Sequence, residues 1–221
     1  MVQHNNFQDF KDRSGLWVKS FEYRNNSGDK EVYRTRAYLL WMSILSRTRG
    51  KNSRKASYVN TVNSFESFQE FAEWCQDQYG YLNKDEKGRY WQLDKDLLYF
   101  GNNAYSPTTC VFIPVRLNSF IPASPGGRIG QFLQGVSWHI HRKKFRAASS
   151  ENSKILNLGL YDSEIEAHRA WQKHKIQKLE EFMADSTLEP RVINAIFTLK
   201  CMFQDSYDNY LPTIIDNQTG E

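Results

Sequence analysis

The chain has 221 residues, 40% hydrophobic and 14% aromatic, with 29 basic and 25 acidic residues for a net charge of +4. That is enough apolar chain to bury one large or two small cores. Three widely spaced cysteines (Cys75, Cys110, Cys201) with no C-x-x-C pair exclude a disulfide framework and a structural zinc site, and no apolar run reaches membrane length. The expectation is a reduced, cytoplasmic protein with no membrane contact, each cysteine serving as a small buried hydrophobe.

The distribution of charge says more than its sum. From Arg34 to Phe65 there are seven basic residues (Arg34, Arg36, Arg47, Arg49, Lys51, Arg54, Lys55) and no acid. From Leu97 to Ser150 there is again no acid, while Arg116, Arg128, Arg142, Lys143, Lys144 and Arg146 are present. Segregation of this kind builds a one-sided positive field, which suits a polyanion partner such as double-stranded DNA.

In chain order, residues 1–36 read as an extension with a small hairpin: a strand over 16–21, a turn over 25–29 and a strand at 31–33. Ala37 to Arg47 has Leu40, Trp41, Ile44 and Leu45 at helical spacing. It runs into a basic loop in which Arg47, Arg49, Lys51, Arg54 and Lys55 are candidates for phosphate contacts. Asn63 and Glu66 read as a capping box for a helix whose apolar face is Phe65, Phe68, Phe71, Ala72, Trp74 and Cys75, a core face.

The segment 89–121 carries the candidate chemistry. An alternating strand over 89–93 drops onto Asp94-Lys95-Asp96 and crosses an Asn/Gly/Pro loop. A second strand, 110–113, leads through Pro114 into a helix, with Asn118 one turn in. Such a ββα unit can hold one hard divalent ion, Mg²⁺ or Mn²⁺, against a phosphate, because these ions take oxygen ligands and keep several waters. Residues 122–134, rich in Pro, Gly and Ser, read as an interdomain linker in which Arg128 is a further phosphate candidate.

Residues 135–185 form the clearest unit: strands over 135–141, 144–148 and 154–161, then a helix capped by Ser163 and Glu166. Period-two alternation turns Val136, Trp138, Ile140, Phe145, Ala147, Leu156 and Leu158 toward the helix. It turns Ser137, His139, His141, Lys144, Arg146, Ala148 and Asn157 outward. Arg146 and Asn157 are types that bond base edges, and Arg142, Lys143 and Lys144 suit phosphates. His139 and His141 share a strand face, but lacking a third ligand they are read as groove contacts, not as a metal pair. His168 and His174 are read as packing or helix-surface residues. The tail, 186–221, is a helix that either completes this core or pairs with a second copy in a homodimer.

Residues 38–121 resemble the HNH nuclease motif in the form common in phage-encoded proteins. That resemblance implies a ββα-metal module over 37–121, with Asp94 and Asn118 as metal ligands. It also implies Lys95 at the general-base position, Asn103 as the loop Asn, and Asp96 as a group able to orient water. Where the motif has His, this chain has Lys95, and an ordinary lysine (pKa near ~10.4) is protonated at neutral pH and cannot take a proton from water. Either the Lys95 pKa is depressed, or Lys95 steadies phosphate charge, or catalysis has been lost and DNA binding kept. Residues 135–182 resemble the Apetala-type domain of plant ethylene-response factors, on Gly135-Val136, Phe145-Arg146-Ala147, Leu158-Gly159-Leu160-Tyr161 and Glu164 through Trp171. That resemblance implies a sheet whose exposed face enters the major groove. The expected class is α+β, and the expected function is phage homing-type endonuclease in the host cytoplasm, with an inactive DNA-binding scaffold as the alternative.

Overall fold

The computed structural model describes residues 9–50, 58, 60–121, 128–151 and 154–215, with only the backbone described at 128, 129 and 151. Within these residues the chain is α+β, with five helices and several small sheets. It falls into two compact units, Met1–Tyr81 with Asn103–Cys110, and Leu82–Asn102 with Val111–Glu221.

The first unit opens with the antiparallel hairpin β1 (Ser20–Arg24) and β2 (Lys30–Arg34). Asn25 closes its turn, its side-chain carbonyl accepting the Ser27 and Asp29 N–H groups at 3.0 and 2.9 Å. The strand expected from residue 16 starts at Ser20, because Trp17 makes only an isolated bridge with Lys11. Helix α1 (Arg36–Arg47) buries Ala37 and Ile44. The short β3 (Val62–Asn63) pairs in parallel with β5 (Ala104–Tyr105).

Helix α2 (Phe68–Gln76) begins later than the sequence pattern suggested. Its cap is Ser67, whose hydroxyl accepts the Glu70 N–H at 3.2 Å, while Asn63 lies in β3 and accepts the Phe65 N–H. Two cap-like pairs four residues apart compete here, and the later one wins because it puts Phe68, Phe71, Ala72 and Cys75 on one buried face. The Phe71 ring lies 5.0 Å from Phe65 and 5.7 Å from Trp41 of α1. Each such aromatic pair adds about 0.5–1.5 kcal/mol beyond area burial.

The second unit contains β4 (Gln92–Asp94), β6 (Val111–Ile113), α3 (Val115–Phe120), β7 (Arg128–Ile129) and β8 (Phe132–Leu133). It continues with β9 (Val136–His139), β10 (Lys144–Glu151), β11 (Lys154–Tyr161), α4 (Glu164–Met183) and α5 (Pro190–Asp208). β4 and β6 are antiparallel and α3 follows directly, so strand, loop, strand and helix occur in the expected order. Of the segment read as a linker, 122–127 lies outside the described residues. Residues 128–134 form the β7–β8 hairpin, with Leu133 buried and its N–H bonded to Glu164 Oε1 at 2.6 Å.

The sheet β11-β10-β9 is antiparallel and carries α4 on one face, with the Ser163/Glu166 capping box formed. The in-register rows Val136–Ala147–Gly159 and Trp138–Phe145–Tyr161 face the helix side. Simple alternation fails on β11: Ala147 faces Gly159 and Ala148 faces Asn157, so Leu158 is the extra residue of a bulge. The helix side therefore continues on Gly159 and Tyr161, not on Leu158. Two further expectations change. Trp138, packed edge-on against Phe145 at 4.9 Å, is 42% exposed, and Ile140 is 76% exposed because it sits in the β9–β10 turn.

α4 is also held at its other faces. Lys175 Nζ donates to the Phe120 carbonyl at the end of α3, Arg116 pairs with Asp185, and the Phe120 and Phe182 rings lie 5.4 Å apart. α5 buries Val192, Ile196, Leu199 and Phe203, the last 5.5 Å from Trp171 of α4. Cys201, expected to be buried, is exposed on this helix, while Cys75 and Cys110 are buried.

His168 is fully buried and joins three parts of the chain. The Thr213 N–H donates to its Nε2 at 3.2 Å, which leaves Nδ1 to carry the proton donated to the Gln134 carbonyl at 2.8 Å. Burial lowers its pKa below the ordinary 6.5, with Glu164 and the Gln134 bond opposing. As pH falls below about 6.5 the unfolded chain takes a proton that the folded chain refuses, so stability drops. The fall in Tm between pH 7.5 and 5.5 should shrink in His168→Gln. An unchanged pH slope would show that His168 does not titrate on unfolding.

Candidate functional site

The β4–β6–α3 unit gathers part of the sequence-derived metal site. Gln92 and Asp94 are two residues apart on β4 and so share a face. Asn118, on α3, meets that face by donating from Nδ2 to Gln92 Oε1 at 2.6 Å. Asp94 is half-buried, and its Oδ1 accepts the N–H groups of Asp96 and Leu97 at 2.9 and 2.7 Å. One carboxylate oxygen is thus committed to shaping the turn. Burial pushes the Asp94 pKa up, with the Leu97 N–H working against it and the Asp96 charge working with it.

Lys95 is buried and tied down. Its Nζ donates to Asp96 Oδ1 and, at 2.8 Å, to the Asn102 carbonyl, while Asn102 Nδ2 returns a 2.7 Å bond to the Lys95 carbonyl. This reciprocal pair closes the loop after β4, and an amine donating in this way is a brace for backbone. Asn103 belongs to the first unit, where its carbonyl accepts the Val62 N–H at 2.8 Å. Among the described residues no group of three or more His, Cys, Asp or Glu side chains gathers in a way that could hold a metal. The oxygens left without a described partner are Asp94 Oδ2 and Asn118 Oδ1. Two hard oxygen donors fit in kind an ion such as Mg²⁺, which fills its remaining positions with water and phosphate.

The outer face of the three-stranded sheet is the larger candidate. Register places Ser137, Arg146 and Leu160 in one row, His139 and Lys144 in the next, and Ala148 beside Asn157. Arg146 makes one side-chain bond, Nε to Ser137 Oγ at 3.3 Å. Asn157 is exposed and spends its carbonyl on the Gly159 N–H at 3.3 Å, which leaves its amide NH₂ to donate outward. Lys144 reaches Asp162 at 3.0 Å, a pair in which Asp162 is 82% exposed. Such a surface pair is worth at most about 1 kcal/mol, so Lys144 is readily recruited elsewhere.

The β9–β10 turn adds Arg142 and Lys143, both exposed. Lys143 has φ +51°, the left-handed region where a turn ordinarily places Gly or Asn. His139 Nδ1 accepts the Arg142 N–H at 3.2 Å, so this histidine shapes the turn, and His141 lies exposed in the turn. Ile155, 75% exposed, stands on the outer side.

The basic loop contributes less than the sequence suggested. Arg47 is anchored, its Nη1 donating to Tyr105 Oη at 2.8 Å, and Arg49 is exposed. Burial raises the Tyr105 phenol to about 12, against the nearby Arg47 charge. Lys51, Arg54 and Lys55 lie outside the described residues, as does the Arg128 side chain.

Sequence reasoning missed Gln92, which holds Asn118, and Arg169 and Gln172 of α4, which with His168 hold the segment 207–213. Gln172 Nε2 donates to the Leu211 carbonyl at 2.9 Å and to Thr213 Oγ1 at 3.0 Å. For Gln172 the signal was a polar side chain that shares the buried face of Trp171 and His168, a pattern with no partner visible in sequence. No family model, curated protein or solved structure matches the chain. Among the described residues no helix is long and apolar enough to cross a membrane.

Proposed function

We propose that the protein binds double-stranded DNA by laying the outer face of β9–β10–β11 in the major groove. The observation that carries this reading is the composition of that face: Arg146 and Asn157 at its centre, Lys144 beside them, and Arg142 and Lys143 at the adjoining turn. Three strands spaced at roughly 4.8 Å make a ribbon about 10 Å wide, which fits a major groove about 12 Å wide. Arg146 suits a guanine edge and Asn157 an adenine edge, with the turn cations on phosphates. Lys143 supports the reading further, since a left-handed lysine is strained where glycine would not be, and its charge compensates only if something uses it.

The second reading adds cleavage. What favours it is the β4–β6–α3 order, with Asp94 on β4, Asn118 of α3 bonded to Gln92 two residues from it on the same strand, and one oxygen on each of Asp94 and Asn118 without a described partner. In that reading Asp94 and Asn118 hold a Mg²⁺ or Mn²⁺ ion, which supplies charge stabilisation at a scissile phosphate. Asn118 gives the ion its carbonyl oxygen while Gln92 holds its amide. Lys95 braces the loop, and Asp96, half-buried with Oδ1 held by Lys95, would orient water through Oδ2.

Fluorescence anisotropy of a labelled duplex against salt tests the first reading: log K should fall linearly with log salt. Absence of salt-dependent duplex binding would sink it. Supercoiled plasmid incubated with Mg²⁺, Mn²⁺ or EDTA tests the second, beside Asp94→Ala. Metal-dependent nicking lost in the variant, with duplex binding within about threefold of wild type, is the expected result of a nuclease. Intact plasmid with salt-sensitive binding leaves the DNA-binding reading alone.

A further inference from the structure

The helix side of the second unit carries a hollow of about 390 Å³ between α4, the end of β11 and the end of α5. This volume falls within the range of small-ligand sites, roughly 300–1,000 Å³. Its walls are Tyr161, Arg169, Lys173, Tyr207 and Tyr210, with Glu166 at one edge. It lies on the α4 side of the sheet, opposite the outer face.

Two features mark it as more than surface relief. Arg169 lies between two phenol rings, its guanidinium carbon 4.1 Å from the Tyr207 ring centroid and 3.5 Å from that of Tyr210. One Nη donates to the Tyr207 carbonyl, which leaves the other guanidinium donors without a described partner. Lys173 is exposed, and neither it nor the two tyrosine hydroxyls have a partner among the described residues.

The second feature is backbone strain. α5 ends in a Schellman arrangement: the Leu211 N–H bonds the Ser206 carbonyl at 2.9 Å and the Tyr210 N–H the Tyr207 carbonyl at 3.4 Å. The residue between, Tyr210, takes the left-handed position that helices normally give to glycine. It has φ +57°, and it is 65% exposed, so core packing does not explain a large aromatic there. Glycine would end the helix with less strain. What tyrosine adds is a flat ring held against Arg169 at the mouth of the hollow.

We propose that this hollow binds a nucleotide unit, its base stacked on the Tyr210 and Tyr207 rings and its phosphate held by Lys173 and Arg169. Stacked aromatics interleaved with cations are the recognition chemistry of unpaired bases, which offer a π-face and a nearby negative charge. Glu166 does not neutralise the site, because it brings one negative charge against the two cations Arg169 and Lys173, and the capping box turns its carboxylate to the Ser163 N–H. The nucleotide unit comes either from a free mononucleotide or from single-stranded nucleic acid. The site stands whether or not the sheet's outer face binds duplex.

The test is titration of the full chain with fluorescein-labelled oligo(dT), with adenosine and thymidine monophosphates as competitors. The variants are Tyr210→Gly, Lys173→Gln and, on the other face, Arg146→Ala. Tyr210→Gly should weaken oligo(dT) binding about tenfold with a Tm equal to or above wild type, because it removes a ring and a strained backbone together. Lys173→Gln should weaken it severalfold and flatten the salt dependence, and loss of oligo(dT) binding in Arg146→Ala with wild-type affinity in Lys173→Gln would place the strand on the outer face and overturn the proposal. Competition by monophosphates assigns the site to free nucleotides, and its absence assigns it to single strands; both support the proposal. No binding of either probe overturns it, as does wild-type affinity in Tyr210→Gly and Lys173→Gln. A Tm in Tyr210→Gly that falls in step with affinity also overturns it, since Tyr210 would then be a structural clamp.

Discussion

Replacing Arg142, Lys143 and Arg146 together by Gln should lower duplex affinity by about two to three orders of magnitude while leaving the fold intact. The two turn cations are exposed and make no ion pair among the described residues, so their removal costs the folded state little. Each phosphate that is no longer neutralised reduces the slope of log K against log salt by about 0.9, so two should reduce it by nearly 2. Arg146 contributes differently. A bidentate bond to a base edge discriminates by about 1–3 kcal/mol, and its loss should flatten preference among sequences while hardly altering the salt slope. Anisotropy titrations at several salt concentrations, with the single variants beside the triple, separate the two effects. Affinity within threefold of wild type at all salts would show that the protein meets DNA elsewhere, with Arg49 and the basic loop the next surface to test.

Much of this sheet and its helix was legible in the sequence because strand and helix signals agreed over residues 135–182. The Ser163/Glu166 box, Ala167 and Trp171 fix the face of α4, and the strands fix which residues oppose it. Legibility stopped at Leu158, where a bulge inserts one residue and reverses the alternation that two-residue periodicity assumes. It stopped again at Asp94 and Lys95. Their types fit chemistry, but sequence cannot show that Asp94 Oδ1 takes two backbone N–H groups or that Lys95 reaches across the loop to Asn102. Asn63 and Ser67 both read as caps, and only burial of Phe68 and Phe71 chooses between them. The left-handed Lys143 and Tyr210 were invisible for a related reason. A left-handed conformation at a non-glycine residue is imposed by the turn or helix end around it, and the residue type does not announce it.

Gly135→Ala should be the most damaging single substitution in the second unit. A Cβ at Gly135 would stand 2.2 Å from Trp171 Cγ and 2.3 Å from Trp171 Cδ1, with φ already at +77°. The left-handed backbone costs an alanine about 1–2 kcal/mol, and forcing a packed side chain aside costs about 1–3 more. Trp171 cannot move cheaply, because it is buried between His168, stacked 5.3 Å away, and Phe203 of α5. A loss of roughly 2–5 kcal/mol is a large share of the 5–15 kcal/mol that holds a typical domain together. Thermal unfolding should therefore show a Tm lower by roughly 4–20 °C, at roughly 2–4 °C per kcal/mol for a chain of this size. Trp171→Leu in the same chain should recover part of the loss, since it removes the ring that the new methyl strikes, although Trp171→Leu alone destabilises. The coupling matters for function because Gly135 immediately precedes β9 and its carbonyl accepts the Ala148 N–H at 2.9 Å, tying the strand that presents Ser137 and His139 to the one that presents Arg146. Below its melting point the variant should bind duplex like wild type, and above it binding should vanish together with the near-ultraviolet tryptophan signal. Duplex binding that outlasts that signal would mean the outer face keeps its arrangement without α4 behind it.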